Sequence, residues 1–191
     1  EPWADKVNAP TAIITGEELI VDNDPHIWLN PVLAQKMVQK ITAGFVSVDP
    51  GRKQLYLANA ENLTVKLAGL DQEFKSGLAN CRRSDIVTSH AFFGYLVSEY
   101  GLRQVSISGI SPDAEPSPRQ LAKVAQFAKM NNVKYIFFET LVSPKLAQTL
   151  AREVGAKTVV FDPLEGQSRG KDYFSIQKEN LENLKMALEC T

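Results

Sequence analysis

The sequence predicts an α/β fold in which helices cover a parallel sheet. From residue 80 onward, short runs of branched and aromatic residues alternate with segments of helical periodicity. Strands separated by helices imply right-handed crossovers and parallel pairing. The content of 44% hydrophobic and 23% charged residues is typical of a globular protein. Apolar runs such as VKYIFFETLV are far too short to span a bilayer.

The first part of the chain contains two predicted helices. Asn30-Pro31 and Asp49-Pro50 each combine an N-cap residue with a proline at the first helical position. The first helix places Leu33, Met37, Ile41 and Phe45 on one stripe. The second, over 50–79, would be roughly 45 Å long at 1.5 Å per residue. That length exceeds the needs of one small lobe, so we expect this helix to connect two lobes. Before Pro25 we predict a loop and assign no strand.

The second part alternates strands with helices. Glycines 101 and 155 are predicted helix stops, and Ser117 begins an S-x-x-Q capping box. The predicted strands are DIVTSH, RQVSI, VKYIFFE and KTVVF, and the predicted helices end at Tyr100, near Met130, at Val154 and near residue 189.

Three of these strands end in a residue that could bind a metal ion, namely His90, Glu139 and Asp162. Each has a bland structural explanation, such as a hydrogen-bonded histidine or a turn-forming aspartate. However, the carboxyl ends of parallel strands meet at one edge of a sheet, where ligands bind. The second of the two histidines, His26, lies in DPHIWLNP just ahead of a capped helix. Two imidazoles with a carboxylate suit zinc, whereas an oxygen-dominated set would suit magnesium, calcium or manganese.

Other function classes find little support. The chain has no Gly-rich phosphate loop, no G-x-G-x-x-G and no G-x-S-x-G. Ser89 and His90 are not expected to form a nucleophile pair, because neighbours on a strand point to opposite faces. A metal hydrolase with Glu139 or Glu165 as general base stays open as an alternative. A net charge of −1 provides no electrostatic basis for binding nucleic acid or an anionic membrane.

The two cysteines, Cys81 and Cys190, lie outside any C-x-x-C spacing. Either they are two free buried thiols, or they form one disulfide that ties the last residues to the start of the α/β unit. The disulfide would imply an oxidising compartment.

Several segments together resemble the metal-binding solute-binding proteins of bacterial ABC importers, the ZnuA-like and PsaA-like group. The resemblance covers nearly the whole chain. It rests on DPHIWLNP, the long helix DPGRKQLYLANAENLTVKLAGL, TSHAFFGYLVSEYGL, SPDAEPSPRQL, YIFFETLVSP and FDPLEG, which follow in family order. It implies a bilobal α/β protein with a long inter-lobe helix, which captures a divalent cation between its lobes. It also implies delivery of that ion to an ABC permease at the periplasmic or extracellular face of the bacterial membrane, without enzymatic activity.

The resemblance also assigns roles to individual residues. His26 and His90 match ligand positions, and Asp162 matches the position where manganese-type members place an aspartate ligand. Glu139 is expected to hydrogen-bond a ligand imidazole rather than to bind the metal. A histidine at position 90 favours Zn²⁺, with Mn²⁺ as the alternative. The resemblance further favours a Cys81–Cys190 disulfide.

The sequence departs from the family pattern at its front. Family members contribute a first histidine from a part of lobe one that lies ahead of this chain, and VDND stands where zinc-type members often carry a His-rich loop. We therefore expect a fragment, with 1–49 as a remnant of the N-terminal lobe, 50–79 as the linking helix and 80–191 as the C-terminal lobe. Membrane contact is expected only through the permease or a lipid anchor on the missing part. A cell-surface adhesin is a further alternative, because adhesion needs only an exposed patch.

Overall fold

The computed structural model describes the backbone of residues 12–15, 17–20, 24–109, 115–139, 143–166 and 170–191, with side chains from residue 24 onward. The strands are β1 (Ala12–Thr15), β2 (Glu17–Ile20), β3 (Asp85–Thr88), β4 (Arg103–Ser106), β5 (Tyr135–Glu139) and β6 (Lys157–Phe161). The helices are α1 (Pro31–Val48), α2 (Lys53–Leu78), α3 (Gly94–Glu99), α4 (Pro118–Met130), α5 (Lys145–Val154) and α6 (Tyr173–Leu188). Short 3₁₀ turns cover Ile27–Leu29 and Pro50–Arg52. Within the described ranges, no helix is both long and apolar enough to cross a bilayer.

Four strands form one parallel sheet in the order β4-β3-β5-β6, which confirms the predicted α/β class. Val87 on β3 is opposite Ile136 on β5 and Val105 on β4. Because all four strands run in the same direction, their carboxyl ends lie along one edge. This edge carries the candidate site.

Helices cover both faces of the sheet. Ile86 and Phe137 belong to a core that also contains residues of α2, α3 and α6, whereas Val87 and Ile136 belong to a core shared with α4 and α5. Successive strand residues point to opposite faces, so adjacent apolar residues supply both cores. The adjacent apolar residues in β3 and β5 follow from burial of these strands on both sides.

The N-terminal part differs from the prediction in two respects. β1 and β2 form an antiparallel hairpin that pairs Ala12 with Ile20, where no strand was predicted. Strands of four residues carry too little periodic signal to be separated from a loop. In addition, the predicted apolar stripe of α1 is only partly covered, because Leu33 is buried while Ile41 and Phe45 are 54% and 52% exposed.

The predicted helix caps are formed at some ends and not at others. Asn30 Oδ1 accepts hydrogen bonds from the backbone N–H groups of Val32 and Leu33, and Ser117 Oγ accepts one from Gln120. Asp49 makes no such bond; it accepts from Tyr56 Oη at 2.9 Å and precedes a 3₁₀ turn, so α2 begins only at Lys53. The carboxylate of Asp49 instead contacts the phenol of Tyr56 and the guanidinium of Arg52.

A disulfide between Cys81 and Cys190 joins the segment before β3 to the end of α6. Backbone hydrogen bonds support the same junction, with Arg83 N–H donating to Leu188 O at 3.1 Å. The disulfide that the family resemblance implies is therefore present. It holds α6, which packs beneath the candidate site, against the sheet.

Candidate metal site

His26 immediately precedes the 3₁₀ turn Ile27–Leu29 and is 4% exposed. The carboxylate of Asp24 contacts it twice. Asp24 Oδ1 lies 2.9 Å from the backbone nitrogen of His26 and 2.6 Å from its Nδ1. Asp24 is itself held, since Tyr95 Oη donates to its carbonyl at 2.9 Å. These contacts fix the imidazole so that Nε2, not Nδ1, is left to face the sheet edge.

His90 lies in a bend two residues after the end of β3 and is 1% exposed. Its Nδ1 is hydrogen-bonded to Glu139 Oε1, at the carboxyl end of the neighbouring strand β5. The backbone carbonyl of His90 accepts hydrogen bonds from Thr88 Oγ1 and Gln104 Nε2. The ring and the backbone of His90 are therefore both held by buried polar groups.

Ser89 and His90 were expected to point to opposite faces, as neighbours on a strand do. The structure differs, because β3 ends at Thr88 and the chain bends at Ser89 and His90. As a result Ser89 Oγ and His90 Nδ1 both contact the same oxygen, Glu139 Oε1. The hydroxyl donates to a carboxylate, so it supports Glu139 and does not pair with the imidazole as a nucleophile.

The loop after β6 contains Asp162, the third sequence candidate, and Glu165. Asp162 Oδ1 accepts a hydrogen bond from Leu164 N–H at 2.9 Å, which forms a tight turn. Leu164 has a φ of +61°, a left-handed conformation that reverses the chain locally. Beyond this turn, Glu165 Oε1 comes within 3.2 Å of His26 Nε2.

Three side chains thus meet at the sheet edge. Each of His26, His90 and Glu165 offers one potential ligand atom, and these atoms lie within 4.8 Å of one another. Asp162 and Glu139 lie outside this group. The two imidazole ring centres are 5.5 Å apart, and Phe92 packs against His90 with ring centres 4.7 Å apart. The three potential ligand atoms therefore lie close together, and the ring of Phe92 provides an apolar surface beside His90.

The donor set fits a divalent zinc ion. His90 Nε2 is buried and has no hydrogen-bond partner among the described residues. A buried polar atom without a partner is costly unless something binds it. Imidazole nitrogens and carboxylate oxygens are common ligands of tetrahedral zinc. At zinc sites the ring nitrogen that does not bind the metal is usually hydrogen-bonded to a carboxylate or carbonyl, as the Nδ1 atoms of both histidines are here.

A model of one protein family matches residues 4–187, and its description is "Zinc-uptake complex component A periplasmic". The chain belongs to the ZnuA family. Among curated relatives, the high-affinity zinc uptake system protein ZnuA of Bacillus subtilis is 48% identical over 170 residues, which are 86% of this chain and 53% of that protein. The zinc-binding lipoprotein AdcA of Streptococcus pneumoniae is 42% identical over 171 residues, covering 87% of this chain and 34% of that protein.

Solved structures agree with the ZnuA family fold. The laminin-binding protein Lmb of Streptococcus agalactiae, described as a bifunctional protein with adhesin and metal transporting activity, superposes with a TM-score of 0.86. It is 35% identical and the match covers 97% of this chain and 70% of that one. A Zn(II)-bound variant of AdcAII from Streptococcus pneumoniae has a TM-score of 0.84 at 33% identity, over 95% of this chain and 68% of that one. The chain spans about half the length of the ZnuA protein that it matches, 53%.

The sequence pointed to both histidines of this candidate site, but it suggested Glu165 only as a general base for a hydrolase. Asp24 was missed as a partner of His26. A carboxylate two residues before a candidate ligand is a usable local signal for such a partner. Glu165 had no comparable signal, because its position depends on the reversal at Leu164.

Proposed function

We propose that this ZnuA-family chain captures zinc with His26, His90 and Glu165, and that it serves as the metal-binding component of an ABC importer. The observation that carries this proposal is the convergence of three potential ligand atoms within 4.8 Å. The proposal includes delivery of the ion to a membrane permease, outside the cytoplasm. In this proposal residues 80–191 form the C-terminal lobe, residues 50–79 form the linking helix, and residues 1–49 belong to the N-terminal lobe.

The geometry favours zinc over manganese. Two of the three proposed ligands are imidazoles, whereas manganese prefers a larger share of oxygen ligands. Both imidazoles are supported on their Nδ1 atoms by buried carboxylates, Asp24 and Glu139. This arrangement selects the tautomer whose Nε2 lone pair is free for a metal ion.

The same geometry supports capture rather than hydrolysis. A zinc hydrolase needs a general base beside the metal-bound water. Glu139 is 1% exposed and engaged with both Ser89 and His90, and the Asp24 carboxylate is engaged with His26. Glu165 contacts His26 as a proposed ligand. Glu139 Oε2 and Asp24 Oδ2 have no hydrogen-bond partner among the described residues, but the other oxygen of each carboxylate holds it against an imidazole.

The proposal predicts that zinc affinity depends on both histidines. Loss of an outer hydrogen-bond partner of a metal ligand lowers metal affinity by roughly 10–100-fold. Loss of a ligand itself should have a larger effect, so we expect His26→Ala and His90→Ala each to weaken zinc binding beyond that range. Isothermal titration calorimetry with the 191-residue chain measures the effect. Circular dichroism melting curves without metal show whether each variant folds.

Glu153→Gln is the matched control, because Glu153 is an exposed carboxylate that pairs with Lys129 away from the site. It should bind zinc as the original chain does. Unchanged zinc affinity in a folded His90→Ala variant would contradict the proposed ligand set.

A further inference from the structure

Three hydrogen bonds that involve no proposed ligand join the segment that carries His26 to Pro163 and to α6. Trp28 Nε1 donates to Pro163 O at 2.8 Å. Tyr173 Oη donates to Trp28 O at 2.7 Å, and Gln177 Nε2 donates to Leu29 O at 2.9 Å. Tyr173 and Gln177 lie on α6, so one helix holds two successive backbone carbonyls, those of Trp28 and Leu29.

The loop that carries Glu165 is fixed at successive residues. Asn180, also on α6, brackets Asp162: its Oδ1 accepts from Asp162 N–H at 3.0 Å and its Nδ2 donates to Asp162 O at 2.9 Å. Asp162 Oδ1 in turn accepts from Leu164 N–H. A non-glycine residue at positive φ, such as Leu164, persists only where its surroundings determine the backbone. The position of Glu165 therefore depends on this set of anchors.

The contact made by Trp28 differs from the others because it comes from a distant part of the chain. Asn180 and Asp162 hold the loop from the C-terminal side, whereas Trp28 reaches Pro163 from the segment that carries His26. The distance along the chain between Trp28 and Pro163 is 135 residues. The indole also packs beside the imidazole of His26, with ring centres 5.4 Å apart. Trp28 therefore contacts both structures whose separation determines the size of the site.

We propose that Trp28 is a positioning residue for metal binding, whose indole N–H sets the separation of His26 and Glu165 by holding the carbonyl of Pro163. This inference rests on the function proposed above. Tyr173 supports this arrangement, because its hydroxyl donates a hydrogen bond to the carbonyl of Trp28. The phenol of Tyr173 is protonated and can donate at neutral pH, and burial raises its pKa further above the ordinary value.

If Trp28 only filled space beside His26, a different result would be expected. In that case phenylalanine would serve nearly as well, and any loss of affinity would be the same whether or not residue 165 can bind metal. If the indole N–H positions Glu165, its loss matters only while Glu165 is a ligand. A double-mutant cycle separates these two possibilities, because coupled residues do not show additive effects.

The experiment compares Trp28→Phe in the original chain and in the Glu165→Gln background. Zinc dissociation constants are measured by competition with a chromophoric chelator, and melting temperatures are measured without metal. We expect Trp28→Phe to weaken zinc binding by about 10-fold or more in the original chain, in line with the loss of outer-sphere support. In the Glu165→Gln background we expect little further change.

Asn183→Ala is the matched control. It removes a hydrogen bond of 2.9 Å from a side chain of α6 to Val160 O on β6, and Asn183 makes none of the hydrogen bonds described above for the 162–165 loop. It should leave zinc affinity unchanged. Tyr173→Phe provides a second test that deletes only a hydroxyl, and we expect it to weaken zinc binding in the same Glu165-dependent manner.

The outcomes distinguish this proposal from the one on which it rests. An equal loss of affinity in both backgrounds, or none in either, for both Trp28→Phe and Tyr173→Phe would overturn the positioning role and leave zinc capture in place. Failure of the original chain to bind zinc would overturn both proposals.

Discussion

At the scale of single residues, the site is organised by two carboxylate–imidazole pairs. Asp24 supports His26 and Glu139 supports His90, and all four side chains are at most 4% exposed. A buried carboxylate is tolerated only when it is paired or hydrogen-bonded. The four residues therefore stabilise one another before any metal arrives. They leave one ring nitrogen on each histidine, while Asp24 Oδ2 and Glu139 Oε2 are also buried without a hydrogen-bond partner among the described residues.

The identity of the third ligand is a prediction at this scale. Glu165→Gln should weaken zinc binding clearly, because a neutral amide is a poorer ligand for a divalent cation than a carboxylate. Asp162→Asn should have a smaller effect, because an asparagine oxygen can still accept from Leu164 N–H and keep the turn. Titration of both variants with zinc, beside the Glu153→Gln control, measures the order of the two effects. The reverse order would support Asp162 as the ligand, as the family resemblance implies.

At the scale of elements, α6 connects several parts of the site. Gln177 and Asn180 on this helix hold the His26 segment and the Asp162 turn, respectively. Its N-terminus is closed by a capping box, in which Asp172 Oδ1 accepts from Ser175 N–H at 2.8 Å and Ser175 Oγ accepts from Asp172 N–H at 2.8 Å. The first turn of α6, which includes Tyr173, depends on this cap.

Loss of the Asp172 cap should destabilise the chain in a pH-dependent manner. Hydrogen bonds from Ser175, first from its side chain and then from its backbone, lower the pKa of Asp172 below its ordinary value. The folded state therefore favours the ionised carboxylate. Its contribution is present above the pKa of the unfolded chain and disappears as the pH falls through the lowered pKa of the folded state.

We therefore expect Asp172→Ala to lower the melting temperature at neutral pH, and the difference from the original chain to shrink on acidification. Thermal melting across a pH series measures this. Ser117→Ala, which removes a cap made by a neutral hydroxyl on α4, is the control, and its effect should not follow the same pH dependence. A difference for Asp172→Ala that stays constant down to strongly acidic pH would contradict the role of its charge.

At the scale of the whole molecule, the Cys81–Cys190 disulfide closes most of the α/β unit into one loop. The two cysteines are 109 residues apart in sequence. A cross-link of this span removes conformational freedom mainly from the unfolded chain. It also joins the ends of the unit whose sheet edge carries His90 and whose last helix supports the His26 segment.

Replacement of both cysteines by serine should lower the free energy of unfolding by about 4–5 kcal/mol on the chain-entropy account. Urea denaturation of the unreduced original chain and of the double variant measures the difference. A reducing agent should destabilise the original chain and leave the double variant unchanged. Two free thiols in the unreduced protein would contradict the prediction.

The amino-acid sequence alone determined the fold class, the order of the strands and helices after residue 80 and the ends at which His90, Glu139 and Asp162 lie. These features follow from local rules, because periodicity, caps and chain breakers act over a few residues. The helix α5, for example, ends at Val154 as predicted, and Gly155 follows it in the left-handed conformation that glycine adopts without steric cost. The two scarce histidines were also recognisable from their positions.

Only the tertiary structure decided which side chains meet. Glu165 reaches His26 because a left-handed turn at Leu164 reverses the loop, and Trp28 holds that loop from 135 residues away. Ser89 joins Glu139 because β3 ends at Thr88, two residues before the end of the predicted strand DIVTSH. Contacts between distant segments depend on packing of the whole chain. Local pattern therefore predicts the elements and their ends, while the arrangement of the loops between them depends on the folded molecule.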